Sequence, residues 1–205
     1  MRPASRSWAK VHRAPSQLPA NPAALAEDEC HLDLLPWVRA TWILRGQRQL
    51  LMTPGRNQRR SLLGAIELST GKWCCQVARR ANRVAFVRLL ECLLETYADA
   101  PAIVVVLDNV IIHASHRVQA WLLEHPTVHL LYGARYCPHE NPVERIWGAL
   151  KAHLANSPPP TMPGRVSRAM NFFAAATPEQ MLQAAAPWKA RWLPSHYGKD
   201  LGKAA

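Results

Sequence analysis

The stretch that most limits what this 205-residue chain can fold into is "AIVVVLDN", residues 102–109. Six apolar residues, four of them β-branched, follow one another without alternation and end in two polar residues. A strand of that composition cannot leave one face in water. It reads as a strand covered on both faces, the habit of the inner strands of layered α/β domains. Around it the hydrophobic period turns helical. Phe86, Leu90, Leu93, Leu94 and Tyr97 share a face in residues 84–97, and "SHRVQAWLLEH" carries a second helical pattern before the strand-like "VHLLYGA". Upstream, "GAIELSTGKWCCQV" predicts a hairpin turning across residues 69–72, and "TWILRG" and "SLLGAIEL" read as strands joined by turns at Gly55, Asn57 and Gly71. Downstream, a helix opens at Pro142 and runs to about residue 155, with Val143, Ile146, Trp147, Leu150 and Leu154 on its apolar side, until "NSPPP" stops it. One or two more helices are expected around residues 165–176 and 178–186. The order of strands, helix, strand, helix, strand, helix predicts an α/β domain with a mixed sheet.

Charge narrows the partner. Lys and Arg number 25 against 14 Asp and Glu, giving a net charge of +11 and favouring a polyanion, most simply nucleic acid. The plain alternative is an Arg-rich composition with no such partner. The basic residues fall in blocks. Residues 1–26 hold Arg2, Arg6, Lys10 and Arg13, four prolines and no acid, and read as an irregular basic arm. Residues 34–66 hold Arg39, Arg45, Arg48, Arg56, Arg59 and Arg60, again without an acid, and are the candidate DNA-binding residues. The main domain is expected over residues 27–195, with a tail over 196–205. Five cysteines with no C-x-x-C pair match neither a disulfide framework nor a common zinc motif and fit a reducing compartment. A zinc site built from Cys137, His139, Cys30 and His31 is a weak alternative. No apolar run is long enough to span a membrane and no signal peptide is evident, so a cytoplasmic, nucleoid-associated protein without membrane contact is expected. The eight tryptophans read as packing residues, with Trp37 and Trp42 in the Arg block as exceptions.

Three acidic positions could carry chemistry. Asp108 closes the buried strand, and ligands of open α/β sheets gather at strand carboxyl ends; an Asp there also caps the turn that follows. Glu144 lies one helix and one strand later. In "ENPVER", Asn141 suits an N-cap, Pro142 the first helical position and Glu144 the third position of a capping box. Gly148, one turn on, leaves room beside it. The cluster Glu27, Asp28, Glu29 and Asp33 is either a solvated acidic turn or a strand; in a strand, Asp28 and Glu29 point to opposite faces, and only one of them can face a site shared with Asp108. Three converging carboxylates would hold Mg²⁺ or Mn²⁺. Two such ions can clamp the attacking and leaving oxygens of a phosphodiester.

Taken together, "EDECHLDLLPWVRATWILRGQ", "VVVLDNVIIHAS" and "YCPHENPVERIWGALKAHL" resemble the Asp-Asp-Glu (DDE) transposases, and more narrowly the insertion-sequence 630 branch of the mariner superfamily. The resemblance covers about residues 25–195, including "TPEQMLQAAAPWKARWLPSHYG". It implies a ribonuclease H-like fold, a mixed five-stranded sheet flanked by helices. It implies Asp28, Asp108 and Glu144 as catalytic metal ligands for two Mg²⁺ or Mn²⁺ ions. Asn109, His113, Asn141 and Pro142 match the residues that orient the site. The implied activity is hydrolysis at transposon ends and strand transfer into target DNA, at a TA dinucleotide, by a homodimer on double-stranded DNA. The family carries a helix-turn-helix region before the catalytic domain; about 26 residues precede Asp28 here. The expectation is therefore the second half of a split frame, with a separately encoded N-terminal half, or a truncated, non-catalytic remnant that binds DNA or intact transposase.

Overall fold

The computed structural model describes residues 21–133 and 140–190. Five strands form one sheet: β1 (Ala23–Asp33), β2 (Arg59–Glu67), β3 (Trp73–Ala78), β4 (Ile103–Leu107) and β5 (Val128–Tyr132), in the order β3-β2-β1-β4-β5. β1 runs antiparallel to β2 and parallel to β4; β2 and β3 form the expected hairpin, and β4 pairs β5 in parallel. The sheet is therefore mixed, and every residue of β4 is buried, as its unbroken apolar run requires.

Helices cover both faces. α1 (Arg83–Thr96) and α2 (His116–Glu124) pack on one, burying Phe86, Leu89, Leu90, Val118 and Trp121 with Leu25, Leu63 and Val105. α3 (Pro142–His153), α4 (Met162–Ala175) and α5 (Pro178–Ala185) cover the other. The whole expected stripe of α3, Val143 through Leu154, is buried there with Ala26, Cys30 and Leu32 of β1. Trp147 meets Trp73 edge-on at 5.3 Å between ring centroids, and Phe173 completes the aromatic cluster. This packing demands Gly64 on β2. A Cβ there would stand 2.3 Å from Trp73 and 2.8 Å from Trp147, closer than atoms can approach.

One expectation needs correction, and one open alternative is decided. "TWILRG" is not a strand. Residues 41–46 carry no ladder and are exposed, Trp42 completely so, because β2 itself occupies the edge of β1 where such a strand would have to pair. Nor is the acidic cluster a solvated turn. Glu27, Asp28 and Glu29 lie inside β1, which is central in the sheet and 11 residues long. Ala-rich and acidic residues are poor strand formers, but two flanking strands override that weak preference.

The segment joining β1 to β2 is anchored at its base. Asn156, in the left-handed region at φ 57°, donates its backbone N–H to the Trp37 carbonyl. Its side chain accepts from Arg39 N (3.0 Å) and donates to Arg39 O (2.8 Å). Trp37 lies under the buried Arg165 guanidinium at 4.7 Å, which makes it a packing residue.

Candidate active site

The site begins where β1 loses one neighbour. β4 pairs β1 only through Ala26↔Val106, so from Glu27 onward that edge of β1 has no ladder partner. The first free carbonyl, Glu27 O, accepts a 2.8 Å hydrogen bond from Asn141 Nδ2. The same Asn141 caps α3, its Oδ1 accepting from Val143 N at 3.1 Å, with Pro142 buried at the first helical position. One side chain thus sets where α3 starts and ties that start to β1. The cap bond goes to the second helical residue, not the third, so Glu144 is not drawn into a capping box. It stands exposed on the first turn, and a Cβ at Gly148 beside it would meet nothing within 4 Å.

Strand alternation decides what each acid of β1 sees. Even-numbered Asp28 lies on the α3 face with Ala26 and Cys30. Its carboxyl is pushed up from 3.8 to about 8, first by burial, then by the negative charge of Glu144, with smaller contributions from Glu29 and Asp108. Asp108, half exposed beyond β4, uses Oδ1 to accept from Val110 N (3.0 Å), so the turn-capping role is real; this engages only one of its two oxygens. Asn109 donates to Gly133 O at 2.8 Å, holding that turn against the end of β5. Asp28, Asp108 and Glu144 thus share one electrostatic neighbourhood at the carboxyl end of β4. Their ligand atoms do not close to within 4.8 Å of one another; among the described residues, Glu27, Glu29 and His113 form the group that does.

Odd-numbered Glu27 and Glu29 face the α1 side. There, fully buried His113, from the short 3-10 turn Ile111–Ala114, rests against the Phe86 ring at 4.4 Å. Its Nε2 lies 3.3 Å from Glu29 Oε1 and 3.8 Å from Glu27 Oε2. Its Nδ1 lies 3.3 Å from Asp108 O and 3.5 Å from Asp108 Oδ1. Burial, with the charges of Glu29, Asp28 and Asp108, raises the Glu27 carboxyl well above the usual carboxylate range. The expectation that only one of Asp28 and Glu29 could face a site shared with Asp108 is therefore refined. Asp28 interacts with Asp108 through charge, and Glu29 reaches it through His113.

The residues of the acidic stretch, the Asp-Asn turn and the Asn-Pro cap thus converge at one end of the sheet. The model of the family described as DDE superfamily endonuclease matches residues 24–162. The chain belongs to this family. An uncharacterized 39 kDa protein of insertion element IS630 from Shigella sonnei is 39% identical over 142 residues, which is 69% of this chain and 41% of that protein. The chain therefore spans less than half of that relative. A crystal structure of the Mos1 mariner paired end complex with Mn superposes at a TM-score of 0.67 and 16% identity, over 96% of this chain and 62% of that one. The catalytic domain of Mos1 mariner transposase gives 0.63 and 14%, over 98% and 93%. These distant likenesses establish the fold, which is ribonuclease H-like with the expected five-stranded sheet.

On this DDE endonuclease domain the Arg block divides. Arg39, Arg45, Arg48 and Arg56 are exposed on the segment between β1 and β2. Arg59 is already engaged, gripping Asp33 through Nε (2.8 Å) and Nη2 (3.2 Å). Arg60 lines a groove together with His31, Arg79 and Arg80. Sequence reasoning missed Arg79 and Arg80, although "ARRANR" after a strand was a usable signal, and it missed Glu27 and Glu29 as partners of His113. Their i, i+2 spacing puts two carboxylates on one face of any strand. Cys137 and His139 of the weak zinc alternative lie outside the described residues, as do residues 1–20 and 191–205.

Proposed function

We propose that the chain is the catalytic domain of a DNA transposase, carrying out metal-dependent hydrolysis of phosphodiesters at transposon ends and strand transfer into target DNA. The observation that carries this reading is the placement of three acids within reach of one another's charge: Asp28 on β1, Asp108 on the turn after β4, and Glu144 on the first turn of α3, which Asn141 ties to β1. A site that gathers acids at such electrostatic cost, on a protein of net charge +11, suits a divalent cation and a phosphodiester.

Asp28, Asp108 and Glu144 would hold two Mg²⁺ or Mn²⁺ ions, all-oxygen ligands for hard cations. When bound, such ions neutralise phosphoryl charge and lower the pKa of a coordinated water. The protein's own residues set the stage. Asn141 places the first turn of α3 beside β1 and so aims Glu144. Asn109 and His113 fix the turn that presents Asp108. The exposed arginines hold phosphates on either side of the cut, which positions DNA without reading its sequence. Catalysis in this arrangement is mostly alignment and charge compensation. The partners are double-stranded DNA at transposon ends and target, and a second copy on that DNA. No helix among the described residues is long and apolar enough to cross a membrane.

The test is Mg²⁺-dependent nicking of DNA carrying the element's own ends, with any co-encoded half supplied. Activity that survives Asp108→Ala would overturn the assignment.

A further inference from the structure

Behind the catalytic face, across the sheet, lies a second set of ligand-type atoms. We propose that Glu27, Glu29 and His113 form a separate, buried site for one first-row transition-metal dication of the zinc type, which locks β1 to the turn that carries Asp108. The site is distinct from the Asp28, Asp108 and Glu144 set, and the inference does not require the catalytic reading to be right.

Three observations carry it. First, the ligand-type atoms are buried and, apart from facing one another, unengaged: both carboxylate oxygens of Glu27, Glu29 Oε1 and His113 Nε2 make no hydrogen bond, and the Glu27 and His113 side chains are completely buried. A buried carboxylate with no donor is strongly unfavourable unless a cation compensates it. A hydrogen-bonded network would have brought Nε2 to about 2.8 Å from one oxygen. Second, the spacings suit shared coordination. Tetrahedral bonds of about 2.0–2.1 Å place neighbouring ligand atoms about 3.4 Å apart. Nε2 stands 3.3 Å from Glu29 and 3.8 Å from Glu27, and all three ligand atoms lie within 4.8 Å of one another. Third, the far nitrogen of His113 meets the carbonyl and carboxylate of Asp108 at 3.3 and 3.5 Å. Metal-bound histidines are oriented by such an outer carboxylate or carbonyl on their other nitrogen.

The donor set also separates this ion from the catalytic ones. An imidazole nitrogen among the ligands disfavours Mg²⁺, which keeps water and prefers oxygen, and favours Zn²⁺. Glu29, with 14% of its side chain exposed, opens the pocket to the rim and leaves the fourth position to a water. The bound cation would hold His113, and through it Asp108, in a fixed orientation.

The test titrates the metal-free full chain with Zn²⁺, and with Co²⁺ as a tetrahedral visible-absorption probe, in wild type, Glu29→Gln, His113→Gln and the double variant Asp28→Asn/Glu144→Gln. One equivalent of Zn²⁺ should bind to wild type and to the double variant. Glu29→Gln and His113→Gln should weaken it by about 100-fold or more. Bound Zn²⁺ should raise the wild-type Tm by roughly 5 °C or more, and leave Glu29→Gln nearly unmoved. Zinc that binds wild type weakly or not at all, or that is lost in Asp28→Asn/Glu144→Gln but kept in Glu29→Gln, would overturn the proposal. Because the readouts are stoichiometry, spectrum and Tm, failure to cleave DNA leaves this outcome untouched, and failure to bind zinc leaves the transposase reading standing.

Discussion

β1 presents two acidic faces that differ in access and in donor chemistry and are linked through Asp108, which lies against His113. On one, Asp28 meets the exposed Glu144 and the half-exposed Asp108, all oxygen and open to a large substrate. On the other, Glu27 and Glu29 meet a fully buried imidazole under the Phe86 ring, where no polymer could enter. A shift of one residue in register would exchange them. That register is held by nine consecutive β1–β2 pairs, Leu25↔Glu67 through Asp33↔Arg59, and by the Asn141 bond to Glu27 O. The contrast teaches that carboxylate count says little about role; access and the neighbouring donor decide whether an acidic patch can work on a phosphodiester or only hold the scaffold.

The largest expected effect breaks the open face alone. Asp28→Asn, Asp108→Asn or Glu144→Gln should each lower Mg²⁺-dependent nicking by about 10³-fold or more while far-UV circular dichroism stays native. A loss of that size in Glu29→Gln, with zinc occupancy unchanged, would erase the distinction between the faces. Next comes the packing beneath the open face. Trp147→Ala removes the residue that seats α3 on Trp73 and Phe173, and should cost about 3–5 kcal/mol in denaturant unfolding.

Proton linkage acts on both faces with one sign, because burial raises the Glu27 and the Asp28 carboxyls alike, and the Asp28 share can be removed by substitution. The Asp28 carboxyl titrates near 3.8 when unfolded and at about 8 when folded, so the native state holds the extra proton between those values. Stability from this group is full below 3.8 and is lost as pH rises through about 8. Without divalent cations the Tm should therefore fall from about pH 5 to about pH 8, and Asp28→Asn should lessen that fall, leaving the part due to Glu27. Millimolar Mg²⁺ should offset it at the upper end in wild type only. Smaller again is Asn141→Ala, which removes the cap and the Glu27 O partner together and should cost about 1–2 kcal/mol. Its nicking rate should drop through misaimed Glu144 while zinc binding on the far face persists.

How far these faces could be read beforehand depends on where each signal lives. β4 was legible because five apolar residues in a row admit one placement, and α3 because its stripe, cap and Pro142 agree. Asn109 and His113 were legible only through the family's paired motifs, since their hydrogen-bond partners, Gly133 O and Asp108 O, are backbone atoms that carry no side-chain signature. β1 was illegible by propensity because its stability comes from β2 and β4, not from its own alanines and acids. "TWILRG" misled for the opposite reason: β-branched and aromatic residues look like a strand wherever they occur, and here Trp42 and Leu44 stand exposed on the basic segment. The i, i+2 pairing of Glu27 and Glu29 with a histidine more than eighty residues away needed the topology itself.

The finest test concerns the groove that would hold phosphates, where arginines are not equivalent. Arg59, Arg60, Arg79 and Arg80 line one groove, but Arg59 already gives its guanidinium fork to Asp33. A cation committed to a carboxylate releases fewer counterions when DNA arrives. Each free arginine removed should therefore lower the slope of log affinity against log salt by about one, uniformly across DNA sequences. Arg79→Ala/Arg80→Ala should lower it by about two, and Arg59→Ala by less than one. If Arg59→Ala matched the pair, the Asp33 contact would not survive DNA binding, and the groove would be one field of interchangeable charges. If neither variant moved the slope, DNA would lie instead along Arg39, Arg45, Arg48 and Arg56, and the same titration on those variants would locate it.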